Sequence, residues 1–122
     1  MSKAACLAFF DAWNRRDFDA AMEHVAEDCH YNDFSFVRPH IGRAEVRALY
    51  ENVASAWPDL TFEITDVADS GSNVGTYWEV FVKGVPSGRT GVSFYKFDSA
   101  DKLVWALDSA DPGPKHRTHD FH

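Results

Sequence analysis

The feature that most limits what this chain can fold into is a change of hydrophobic period at Pro58. Before it, apolar residues recur at helical spacing. In residues 2–14 they are Leu7, Phe10 and Trp13, after which Asn14-Arg15-Arg16 interrupts the pattern. Asp17 is a good N-cap for a second helix carrying Phe18, Ala21, Met22 and Val25 on one stripe. A third helix is predicted after Gly42, with Val46, Leu49, Tyr50, Val53 and Trp57 on one side, and Pro58 stops it. From Leu60 the period is two. Leu60, Phe62 and Ile64 alternate with polar neighbours, Ser70-Gly71-Ser72-Asn73 turns the chain, and a second run spans Val74 to Lys83. Gly84-Val85-Pro86-Ser87-Gly88 predicts another turn, Arg89 to Phe97 a third run, Ser99-Ala100-Asp101 a tight turn, and Leu103 to Ser109 a closing strand. A short strand is also expected at Cys29–Phe34, between the second and third helices.

Helices followed by hairpin-linked strands predict an α+β fold, with three N-terminal helices packed on one face of a curved, mostly antiparallel sheet. A chain of 122 residues supports one core, placed here at residues 1–114, with 115–122 a polar tail containing three histidines. The strands carry large apolar groups on both faces. Tyr77, Phe81, Val92, Phe94, Trp105 and Leu107 form a face that the helices would not reach, so a homodimer is expected.

Nineteen acidic residues against 12 basic ones give a formal charge of −7, which argues against a nucleic-acid partner. Cys6 and Cys29 stand apart, without the spacing of a zinc site or a disulfide framework, and a reducing cytoplasm is the expected location. The first residues have no basic stretch leading a long apolar one, so neither a signal peptide nor a membrane span is expected. With no Gly-rich phosphate loop, no nucleotide is implied, and His24, His30 and His40 lack mutual metal-ligand spacing. The tail histidines His116, His119 and His122 recur every three residues, but so polar a terminus is expected to hold no metal. The expected partner is a small hydrophobic molecule, bound without cofactor or metal. Aromatic residues at 15% suit a chain that lines a cavity.

The order of elements and the residues Phe10, Trp13, Asn14, Asp17, Phe18 and Tyr31-Asn32-Asp33 resemble the ketosteroid isomerase and SnoaL-like polyketide cyclase superfamily, which includes nuclear transport factor two. The resemblance covers residue 4 to about 111 and implies a cone-shaped α+β barrel with the helices on its concave side. It places Asp33 at the general base of the steroid isomerases, and Phe9 and Ser93 where their oxyanion-hole tyrosine and acid stand. Phe9 has no donor, and Arg89-Thr90-Gly91 replaces the Arg-x-Asp of the related epoxide hydrolases. The implied arrangement is therefore the SnoaL-like one, a closing-strand aspartate, here Asp108, doing acid/base work inside an apolar pocket.

Strand parity adds detail. If Asp108 points inward, so do Val104, Ala106 and Ala110, and small residues leave room beside the carboxylate. Ser93, Tyr95 and Phe97 would face inward, Tyr31 and Asp33 would enter from across the mouth, and Phe9, Trp13, Tyr50, Val53, Trp57 and Trp78 would supply walls. The expected catalytic residues are Asp108 and Asp33, with Tyr31, Phe9, Trp13, Trp57, Trp78, Ser93 and Tyr95 binding substrate. An apolar wall would raise a carboxylate's pKa toward the working pH, as a general acid or base requires. The expected activity is that of a cofactor-independent cyclase or isomerase of a carbonyl compound; the alternative is a non-catalytic binding or interaction module.

Overall fold

A computed structural model describes residues 2–111. Helix α1, Ser2–Asn14, buries Cys6, Phe9, Phe10 and Trp13. Its end is fixed by backbone geometry: the Asp17 N–H donates to the Ala12 carbonyl and the Arg16 N–H to that of Trp13, both at 2.9 Å, with Arg16 at φ 62°. That left-handed conformation is unfavourable for arginine, but the side chain is well anchored. Its guanidinium lies 4.4 Å from the Trp13 ring centroid and donates to the carbonyls of Leu60 (2.6 Å) and Pro58 (3.0 Å). Asn14 completes the join by acting as one more rung of sheet. Its Nδ2 donates to the Phe62 carbonyl at 2.7 Å, and its Oδ1 accepts from the Phe62 N–H at 2.9 Å.

Asp17 caps α2 through the Ala20 N–H, as predicted, but α2 is short, Phe18–Met22. Val25, expected on this helix, begins strand β1 (Val25–Asp33) instead. The His24 carbonyl already accepts from the Leu103 N–H at 2.7 Å, so the chain is committed to the sheet at that point. A two-residue strand, β2 (His40–Ile41), follows, then α3 (Arg43–Ala56), which starts after Gly42 at φ 92° and stops before Pro58.

The remaining strands are β3 (Leu60–Ser70), β4 (Asn73–Val82), β5 (Val85–Phe97) and β6 (Leu103–Asp111). The five-residue turn expected at 84–88 is a two-residue one, Lys83-Gly84, with φ of 54° and 74° and Val82 paired to Val85. Among the described residues the β6 pairing runs only to Thr90, and Val85 and Pro86 pair with β4 alone, so Pro86 is tolerated in β5.

The six strands form one mixed sheet in the order β2-β1-β6-β5-β4-β3, antiparallel except for the parallel pair β1 and β6. Helix α1 packs on β3 and β4, α3 on β1 and β2, and α2 between the other helices and β1. Under the helices, Tyr31, Ala106, Tyr95 and Val74 make one row across four strands, and Asp33, Asp108, Ser93 and Thr76 the next. Parity is as expected on β5, where Ser93, Tyr95 and Phe97 are buried while Val92 and Phe94 are exposed. Among the described residues no helix is long and apolar enough to cross a membrane.

Candidate functional site

Between α1, α3 and the helix-bearing face of the sheet lies a cavity of about 370 Å³. Its walls are mainly apolar: Phe9, Phe10 and Trp13 from α1, Leu49, Tyr50 and Val53 from α3, Leu60 and Phe62 from β3, and Trp78 and Val80 from β4. The polar groups are Ser93, Tyr95 and Asp108 from the sheet, with Asp33, Ser35, Arg89, Thr90 and Asp111.

Asp108 is the centre of the polar network. Ser93 Oγ donates to its Oδ1 at 2.5 Å and Tyr95 OH to the same oxygen at 3.3 Å. Tyr31 OH donates to Oδ2. The donors are themselves positioned: Trp78 Nε1–H donates to Ser93 Oγ at 2.8 Å, and the Tyr31 and Tyr50 hydroxyls are hydrogen-bonded to each other. Since Tyr31 gives its proton to Asp108, Tyr50 must be the donor in that pair. Two relays therefore converge on the carboxylate, Trp78 to Ser93 to Oδ1 and Tyr50 to Tyr31 to Oδ2.

Burial dominates the electrostatics. Removal from water pushes the Asp108 carboxyl up from 3.8 to about 6, against the pull of the Ser93, Tyr31 and Tyr95 hydrogen bonds and with a further push from the Asp33 charge. Burial, and then the Asp108 charge, hold the hydroxyls of Tyr31, Tyr50 and Tyr95 well above the usual phenol range, so all three are neutral donors. Asp33 is the Cα partner of Asp108 across the parallel β1/β6 pair and also lines the cavity. Its Oδ1 accepts from the Ser35 N–H at 2.8 Å, so it closes a turn as well as facing the cavity.

Of the residues singled out in the sequence, Phe9, Trp13, Asp33, Trp78, Ser93, Tyr95 and Asp108 meet around this one cavity. Tyr31 does not line it: fully buried, it braces Asp108 from behind. Trp57 is also outside the lining and 51% exposed, because the backbone has left the helix there, at φ −133° and ψ 72°. Extending the helical stripe by one position misplaced it. The polar role of Tyr50, expected only as a wall, and the presence of Phe10, Phe62 and Arg89 were not foreseen. Phe10 and Phe62 could have been found, since both lie on the apolar faces already assigned to α1 and β3. Among the described residues no group of three His, Cys, Asp or Glu side chains could hold a metal ion; the tail histidines lie outside the described residues.

The SnoaL-like domain matches residues 7–106. The chain belongs to that family. Similar solved structures include a SnoaL-like protein of unknown function from Burkholderia thailandensis (TM-score 0.76, 21% identity, covering 90% of this chain and 94% of that one). Wild-type IdmH from Streptomyces antibioticus, proposed to be a polyketide cyclase, superposes with a TM-score of 0.77 at 16% identity, covering 91% and 92% of the two chains. A protein from Agrobacterium tumefaciens proposed to be a SnoaL-like isomerase gives 0.75 at 15% identity, covering 88% and 95%. At such identities the likeness establishes the fold alone. No curated protein matches the chain in sequence.

Proposed function

We propose that this SnoaL-like chain is a cofactor-independent acid/base catalyst, a cyclase or isomerase acting on a small hydrophobic carbonyl compound. Asp108 would take the proton next to the carbonyl and return it elsewhere. The observation that carries this is the Asp108 carboxylate on the wall of an apolar cavity, its pKa raised to about 6, where a group is half-ionised near working pH. An ionised carboxylate in such a place costs several kcal/mol unless paired, and the surrounding hydroxyls offset that only in part. Asp33 stands beside it to position the substrate, and Tyr31 and Tyr50 hold Asp108 in place. The helices and sheet around the cavity support the cone shape implied by the resemblance.

Deuterium exchange tests the proposal. With the apolar ketone 2-tetralone in D₂O, the wild-type protein should accelerate exchange of the α-protons, and Asp108→Asn should lose at least about a hundredfold of that rate. Equal rates in the two proteins would overturn it. A non-catalytic binding module is the second reading, favoured by one observation: the hydroxyls of Tyr31, Tyr50, Ser93 and Tyr95 are all engaged within the network, so none is reserved for an oxyanion.

The protein is also proposed to be a homodimer through the outer face of the sheet, where Tyr77, Val92 and Phe94 are exposed although large and apolar. Sedimentation at micromolar concentration distinguishes this from a monomer.

A further inference from the structure

Arg89 is the one cationic side chain among the described residues that line the cavity. No carboxylate among the described residues lies within ion-pair distance of it. Its position is nonetheless built. Ser87 Oγ donates to the Val80 carbonyl at 2.6 Å and accepts from the Arg89 N–H at 3.1 Å, pinning an irregular stretch of β5 in which Gly88 sits at φ 80°. Such irregularities re-aim side chains. From the other side, the guanidinium carbon lies 5.9 Å from the ring centroid of Trp57, at the end of α3. The half-exposed indole thus has a role as the support of Arg89.

Along β5, exposed Arg89 and buried Ser93 both line the cavity, with Gly91 between them. Four residues of strand span roughly 13 Å. Ser93 is bonded to Asp108, so one cavity, mainly apolar in its walls, holds an acid/base group and, four residues along the same strand, a guanidinium, with Asp33, Ser35, Thr90 and Asp111 as its other polar lining. A ligand complementary to that pattern is elongated and apolar, with a carbonyl at one end and an anion at the other.

Resting on the reading of Asp108 as the reacting group, we infer that the substrate is an aromatic or alicyclic keto acid whose carboxylate is held by Arg89 while its carbonyl end faces Asp108. Arginine suits this task because its planar fork binds a carboxylate through two parallel hydrogen bonds.

The test uses 6-acetyl-2-naphthoate and its uncharged primary amide as probes, with binding followed at pH 7.5 by quenching of the cavity tryptophans. The wild-type protein should bind the carboxylate about tenfold more tightly than the amide. Arg89→Gln should bring that ratio close to one, Arg89→Lys should keep part of it, and raising the salt concentration should weaken the carboxylate alone. Equal affinities in the wild type, or a ratio that Arg89→Gln leaves intact, would overturn the assignment while leaving the acid/base proposal standing. Failure of both probes to bind, with 2-tetralone exchange still accelerated, would likewise overturn only the keto-acid assignment. Failure of binding and exchange together would remove the cavity as a ligand site and both proposals with it.

Discussion

Replacing Asp108 by Asn tests the electrostatics of the site without knowledge of the substrate. A carboxyl whose pKa is 3.8 when unfolded and about 6 when folded binds its proton more tightly in the folded state. The sign follows: its stabilising contribution is full below pH 3.8, declines as pH rises, and is lost above about 6. Each tenfold in proton affinity is about 1.4 kcal/mol, so the loss across that window is about 3 kcal/mol. Asn has nearly the same size and no titration, but its NH₂ must face one of the hydroxyls that now donate to Asp108, which costs about 1 kcal/mol. The variant should therefore be slightly less stable than the parent at pH 4 and about 2 kcal/mol more stable at pH 8. For a chain of this length that is a relative rise in Tm of roughly 10 °C between the two pH values. Thermal melts of both proteins at each pH measure it, and taking their difference cancels the titrating groups that are not coupled to Asp108. A difference that stays flat with pH, or that moves against the Asn protein as pH rises, would refute the reasoning.

Gly91→Ala would place a methyl group inside the Trp78 indole, so the ring must move away from Ser93; a loss of about 1–3 kcal/mol and an altered tryptophan emission are expected. Asn14→Ala removes two hydrogen bonds to the Phe62 backbone and leaves both of its groups unpaired at the α1/β3 join, lowering stability by about 2–3 kcal/mol in chemical denaturation. Burial pushes the Cys6 and Cys29 thiols up to about 12, so in the native protein at pH 8 neither should react with a thiol reagent, and both should react in denaturant.

Much of this site could be read before the fold was known, because strand parity is a rigid constraint. Once Asp108 is placed inward, Ala106 follows on its own strand, and the same alternation puts Ser93 and Tyr95 together on one face of β5; that Ser93 lies opposite Asp108 is set by the turn between the two strands. Helical periodicity served less well at the ends of elements. Trp57 lies one residue past the last turn of α3, and Val25 lies where α2 has already given way to β1, so each breaks a pattern that looks unbroken in the sequence. Pro86, Ser87 and Gly88 carry turn chemistry yet lie in a strand, where among the described residues Pro86 pairs with β4 alone. The Tyr50–Tyr31 contact is three-dimensional information; nothing in the spacing of two tyrosines 19 residues apart says that their hydroxyls meet.

The most direct test of the central claim, a cavity carboxylate poised near neutrality, is titration of Asp108 itself. With ¹³C-labelled aspartate, the carboxyl resonance that disappears in Asp108→Asn should titrate near pH 6 in the wild-type protein, well above the carboxyls on the surface. A midpoint at or below 3.8 would mean that the hydrogen bonds outweigh burial, and would contradict Asp108 as the acid/base group of this site.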